Sequence, residues 1–419
     1  MKYIFTAILF LFSVQAFSQR ELIRQGAGRI GNFGRSLTGG SKDSLQRRDR
    51  NEDSITVRFR FLDSARNYQI DSSILDYTKR YPIPATNIYL GNIGTASKSI
   101  LFSPLMQPGF DPGFHAFDIY RWTTDRARFF NTTRPYSELG YVLGSRAEQQ
   151  IEILHTQNIK PNWNFLFQYH LINSPGFFKN QKTNHNNYLF TSWYQSVNKR
   201  YNLYLTLLGN KLQAGENGGL QNVKDLDSAI YKDRFNIYTN MGGNSSYSTD
   251  FFNTDVGTGN RYGEFAAVLR QQYDFGRKDS VVTDSSVVPL FFPRVRMEYT
   301  VQYSQRKYNF RDYVGDSTFY KNTYAIDLAR AVDTFQVQDK WKEIINDFSL
   351  YQCPDEKNLQ QFFKVGAAVQ NMTLENAKGV DRFYNVFGHA EYRNRSKNQQ
   401  WIIEANGKLY FVGLNSGDY

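Results

Sequence analysis

A single cysteine, Cys353, stands among 419 residues, which excludes an internal disulfide framework and any Cys-based zinc site. The five histidines, His115, His155, His170, His185 and His389, show neither H-x-x-x-H nor H-E-x-x-H spacing, so a helical zinc site has no support. Beyond residue 18 there is no apolar run long enough for a membrane helix. Mean hydropathy is −0.56 even though aromatic residues make up 16% of the chain. If the mature chain enters a membrane, it does so as strands.

The first 18 residues read as a cleaved secretory signal. Lys2 supplies the positive start, residues 3–14 are almost unbroken apolar sequence, and Ala16-Phe17-Ser18 places small residues three and one before a cut ahead of Gln19. A transmembrane anchor would need about 20 apolar residues, more than this run offers. The net charge of +11 raises nucleic acid as a partner, but its distribution argues against one. Residues 19–50 hold eight basic and three acidic side chains, a net +5, together with six glycines and little periodicity. That composition reads as a flexible basic arm, and a secreted product has little occasion to meet nucleic acid.

What the chain has in quantity is period two. In residues 294–304 the odd positions are Val295, Met297, Tyr299, Val301 and Tyr303, and the even ones Arg294, Arg296, Glu298, Thr300, Gln302 and Ser304. Such alternation makes a strand with one apolar and one polar face. It recurs with Trp163, Phe165, Phe167, Tyr169 and Leu171 against Asn162, Asn164, Gln168 and His170, and again over residues 201–210. Strands of about ten residues exceed the usual five or six, and about nine to eleven tilted residues cross a bilayer. The expectation is an all-β protein, an antiparallel transmembrane β-barrel. Soluble β-sandwiches also alternate. Trp163, Trp193, Trp401 and many tyrosines fall near predicted strand ends, however, where a membrane girdle would put them.

Residues 51–112 read as a mixed region, either a plug, a periplasmic cap or early barrel strands. Val57, Phe59 and Phe61 alternate there with Arg58 and Arg60. The barrel is expected over residues 113–419, with strands beginning near Tyr136, Ala147, Trp163, Asn187, Tyr201, Tyr262, Pro293, Lys342, Leu359, Phe383 and Gln399. One more strand is expected within residues 116–122. Short turns, as at Asn198-Lys199-Arg200 and residues 394–398, alternate with long polar connections at residues 213–260 and 305–340, the pattern of periplasmic turns and extracellular loops. Residues 276–292 break that parity and read as an enlarged periplasmic loop.

Four stretches carry a family resemblance. Pro108-Gly109-Phe110-Asp111-Pro112-Gly113-Phe114-His115-Ala116-Phe117-Asp118 and Arg128-Phe129-Phe130-Asn131-Thr132-Thr133-Arg134-Pro135-Tyr136 resemble the putative porin family of Bacteroidetes-type outer membranes. So do Leu154-His155-Thr156-Gln157-Asn158-Ile159-Lys160-Pro161-Asn162-Trp163 and Leu171-Ile172-Asn173-Ser174-Pro175-Gly176. The resemblance runs from about Asp53 to the C-terminus. It implies a signal-bearing outer-membrane barrel and brings no catalytic set with it. Members of that family continue for several more strands, so the ending Gly413-Leu414-Asn415-Ser416-Gly417-Asp418-Tyr419 reads as a loop, and the chain as a fragment with an incomplete barrel.

Other motifs lead elsewhere only weakly. Gly26-Ala27-Gly28-Arg29-Ile30-Gly31 is a literal G-x-G-x-x-G, but no strand precedes it and no βαβ unit follows, so it belongs to the arm. His155 and His170 fall on neighbouring predicted strands, yet no activated nucleophile can be named beside them. Four Asn-x-Ser/Thr sequons are coincidental in a bacterial envelope. The reading is therefore a non-enzymatic barrel without cofactor, catalytic residue or metal. Its partners are outer-membrane lipid and small polar solutes, which pass through a polar lumen; its oligomeric state stays open. A closed barrel with a structural or assembly role is the second reading, and a barrel enzyme the third. Glu152, Arg270, Arg294, Arg296, Glu298, Lys364 and Glu404 lie on the polar sides of their strands and are the expected lumen-facing residues. Because they mix signs, ion selectivity should be weak, with at most a mild anion preference from Arg294 and Arg296.

Overall fold

The computed structural model describes residues 56–63, 67–102, 104, 109–232, 234–243, 256–283, 286–354, 361–396 and 400–418. The chain divides into two units, 1–55 and 56–419. The signal and basic-arm readings lie outside the described residues.

The period-two stretches form one antiparallel sheet of eleven strands, each hydrogen-bonded to its sequence neighbour. They are β6 (Tyr136–Leu143), β7 (Gln149–Lys160), β8 (Trp163–Ser174), β9 (Thr183–Gln195), β10 (Tyr201–Gly215), β11 (Gly259–Thr283), β12 (Ser286–Asp316), β13 (Val332–Gln352), β14 (Phe362–Asn376), β15 (Gly379–Arg395) and β16 (Ile402–Gly413). Every strand expected from Tyr136 onward is present. β6 and β16 end the sheet, and no ladder joins them among the described residues, so the wall is all-β but the barrel is not closed.

Which face is buried separates this sheet from one made for water. Asn164, Gln168, His170, Asn187, Asn210, Gln272, Glu298 and Ser349 are buried, while Phe167, Tyr188, Met297, Tyr299, Phe348, Val365 and Phe411 are exposed. Register carries the polar residues onto one continuous face: His170 lies opposite Asn187, Asn187 opposite Asn210, and Asn210 opposite Glu264. Monomers in water rarely expose a contiguous apolar patch above a few hundred Å². Here the apolar face runs across eleven strands, as a lipid-facing wall requires.

The polar face is covered by the chain's own N-terminal segment. β1 (Val57–Phe61) pairs with β2 (Tyr68–Gln69) and with β5 (Arg128–Thr132) in a small sheet of order β2-β1-β5. Between β2 and β5 runs a hairpin of β3 (Asn87–Tyr89) and β4 (Ser97–Ser99), and residues 109–122 hold no strand. Phe129 and Phe130 of β5 are fully buried against Leu154, Leu166, Leu189, Tyr204 and Leu208 of the wall. At about 1.5–3 kcal/mol per buried aromatic relative to exposure, these two anchor the small sheet. Ile83, Ile93 and Tyr120 pack in the same way on Ile172, Leu212, Tyr262 and Trp341.

Two expectations are corrected. Residues 116–122 form no strand; a single 3-10 turn, Asp118–Tyr120, lies there, because Phe117, Ile119 and Tyr120 pack onto the wall as part of the inner segment. Residues 276–283 and 286–292 are strand where a loop was expected: β11 and β12 continue as a paired ribbon from Gly276↔Pro293 to Thr283↔Ser286, past a bulge at Phe275/Gly276. At the opposite end of the sheet, β12 and β13 extend far into the expected 305–340 connection. One short helix, α1 (Ser317–Tyr324), remains between them.

Candidate functional site

The inner face of the wall holds its covering segment mainly through polar side chains that meet main-chain groups. On β9, Thr183 Oγ1 donates to the Ile93 carbonyl at 2.6 Å, and Asn187 Nδ2 donates to the Tyr120 carbonyl at 2.7 Å. Between them, His185 Nδ1 accepts from the Gln213 amide at 3.1 Å, which leaves Nε2 as the donor to the Gly94 carbonyl at 2.7 Å. Thr191 donates to the Arg128 carbonyl at 2.8 Å, and Asn210 of β10 both accepts from the Trp122 amide and donates to its carbonyl. Irregular backbone needs such partners once water is removed. The sequence reading missed this row. Its signal was the polar run Thr183-Asn184-His185-Asn186-Asn187, where period two places Thr183, His185 and Asn187 on one face.

Among the described residues, three arginines make ionic ties between the segment and the wall. Arg80 pairs with Glu138 at 3.1 Å and with Glu152 at 3.0 Å. Arg121 reaches Glu264 at 3.3 Å, and Arg270 binds Asp63. Burial alone would push the Asp63 carboxyl up, but the Arg270 guanidinium outweighs it and holds Asp63 below the ordinary carboxylate range. Within the segment, His115 bridges Asp118 at 2.7 Å and Asp111 at 2.9 Å. Those two carboxylates, Asp118 first, raise the imidazole above its ordinary value.

Four of the seven expected lumen residues meet in one cluster. Glu298, 1% exposed, accepts from Gln272 at 2.6 Å, Tyr351 at 3.1 Å and Lys364 at 3.3 Å, with Arg270 Nε at 3.5 Å. Arg270 also donates to Thr300 and to the Leu62 carbonyl. Beside them Arg296 grips Asp274 with two bonds, at 2.6 and 2.9 Å. The register explains the assembly: Gln272 faces Glu298, Asp274 faces Arg296, Arg296 faces Tyr351 and Tyr351 faces Lys364. The other three lie apart from it. Glu152 belongs to the Arg80 tie, Glu404 is exposed and pairs with Arg393 at 3.0 Å, and Arg294 is exposed next to Pro293, its carbonyl accepting from the Cys353 amide.

On the same face Ser349, Asp347 and His389 come together in a grouping of hydrolase type. Asp347 bonds His389 Nε2 at 2.6 Å and accepts from Ser349 at 2.6 Å, while Ser349 lies 3.5 Å from that same Nε2. A catalytic triad uses opposite ring nitrogens for carboxylate and hydroxyl; here one nitrogen meets both, so the imidazole is not poised to take the serine proton.

An eleven-stranded antiparallel sheet, apolar outside and polar inside over a buried inner segment, defines the wall of a membrane-type β-barrel protein. The chain belongs to the family described as Putative porin, which matches residues 58–419. No curated protein matches the chain.

Proposed function

We propose that this protein resides in an outer membrane and gives small polar solutes a passive route along the polar seam between wall and inner segment. The observation that carries the reading is the inversion of the sheet, with Glu298 and Asn187 buried while Phe348 and Phe167 are exposed. A polar lumen inside an apolar band needs no cofactor to sort solutes; width and fixed charge suffice. Membership of a porin family supports it. A second reading, a closed barrel with a structural role, is favoured by the dense packing of Phe129, Phe130 and Tyr120 against the wall. Planar-bilayer recordings of the purified full-length chain separate the two. Stepwise conductance supports the pore. Silence over many confirmed insertions removes it and leaves the structural reading.

A further inference from the structure

The inner segment meets the charged cluster around a cavity of about 100 Å³ lined by Arg60, Asp63, Tyr204, Arg296, Tyr351, Cys353, Phe362 and Glu391 among others. Most charges there are answered. Asp63 has Arg270, Arg296 has Asp274, and Glu391 has Arg393 at 3.3 Å. Arg60 differs. Its guanidinium lies 3.7 Å over the Trp193 ring and 5.1 Å from that of Tyr204, and one nitrogen donates to the Tyr204 hydroxyl. Its Nε is buried without a hydrogen-bond partner, and no carboxylate lies within ion-pair distance of it among the described residues. Stacking on the Trp193 ring fixes the guanidinium plane, and the nitrogens not taken by Tyr204 are left on its edge to reach a planar anion. The walls beside it, Tyr204, Tyr351 and Phe362, are aromatic.

We infer that this cavity binds a small monocarboxylate, its carboxylate on Arg60 and its apolar body against Tyr204, Tyr351 and Phe362. The inference rests on the porin reading for its meaning, since it names a solute class for that route, but the site itself needs no pore. A carboxylate suits it better than a multiply charged anion, because Asp63 and Glu391 on the same lining repel added negative charge.

The chain's single cysteine provides the assay, because Cys353 lines this cavity. In the full-length protein in detergent, the rate of Cys353 modification by a maleimide is measured with benzoate and with its neutral isostere benzamide. The expected result is at least fivefold slowing by saturating benzoate and little by benzamide, with protection lost in Arg60→Gln and partly kept in Arg60→Lys. Equal protection by both compounds, or none by either together with no heat of benzoate binding in calorimetry, overturns the inference. The wild-type comparison decides even if Arg60→Gln misfolds. Protection in a protein that conducts nothing removes the pore alone; conductance with neither protection nor heat of benzoate binding removes this site alone.

Discussion

Glu298 shows what a buried charge costs when its partners go. It answers Arg270 and Lys364 at once, with Gln272 and Tyr351 completing its hydrogen bonds. Removing the carboxylate leaves two cations facing each other on the inner face, and breaking a buried pair typically costs about 3–5 kcal/mol. Glu298→Ala is expected to lose stability on that scale in urea unfolding followed by tryptophan fluorescence. A loss below about 1 kcal/mol, the level of surface ion pairs, would mean that water reaches the cluster. On the outer face Gly209 makes a steric prediction. It pairs with Tyr188 across the β9/β10 ladder, and a Cβ built there overlaps the Tyr188 ring. Gly209→Val should displace the ring and cost about 1–3 kcal/mol, as overpacking does; an unchanged midpoint would show that the ring moves aside freely.

At the level of elements, period two was readable wherever a strand has one polar and one apolar face, which is why Tyr136, Trp163 and Tyr201 start strands where the sequence placed them. It fails where both faces are covered or the chain leaves the sheet. Phe117 and Ile119 alternate with Asp118 too, but they pack on the wall from around a 3-10 turn. In the ribbon, Asp279, Asp284 and Pro289 suggested a loop, whereas the β-branched Val281-Val282 and Val287-Val288 pairs were the better guide. The charged cluster was legible residue by residue because polarity and parity pick out Arg270, Arg296, Glu298 and Lys364. Arg294 shares that parity and lies apart, since the bulge at Phe275/Gly276 shifts the register beside it. No sequence rule could tell that the inner segment would cover this face. β5 is where that covering can be weakened: Phe129 is set edge-on to Tyr204 at 5.0 Å and Phe130 packs on Phe59 at 5.3 Å. Phe130→Ala is expected to cost about 3–5 kcal/mol and to speed hydrogen exchange of β1 and β5 before that of β8 to β10. Uniform acceleration across the wall would show that inner segment and wall unfold as one.

Over the whole molecule, the inner segment carries two contacts of opposite pH dependence, one to the wall and one within itself. The Asp63 carboxyl is held below its ordinary value, so its tie to Arg270 contributes fully above about pH 3.9 and is lost as pH falls through the lowered value. The His115 imidazole is raised, so its bridge to Asp111 and Asp118 contributes fully below about pH 6.5 and is lost as pH rises through the raised value. Both act together only between those limits. If the route for solutes follows the seam between segment and wall, conductance in planar bilayers should be lowest in that window and rise on either side. Asp63→Asn should remove the acid limb by taking the titrating carboxylate from Arg270 at every pH, and His115→Gln should remove the other, each without altering the opposite limb. Because both groups are partly open to solvent, raising the salt should shrink both limbs. A profile flat from pH 3 to 9, or one that both substitutions leave unchanged, would mean that neither the Asp63 tie nor the His115 bridge governs how the segment sits against the wall.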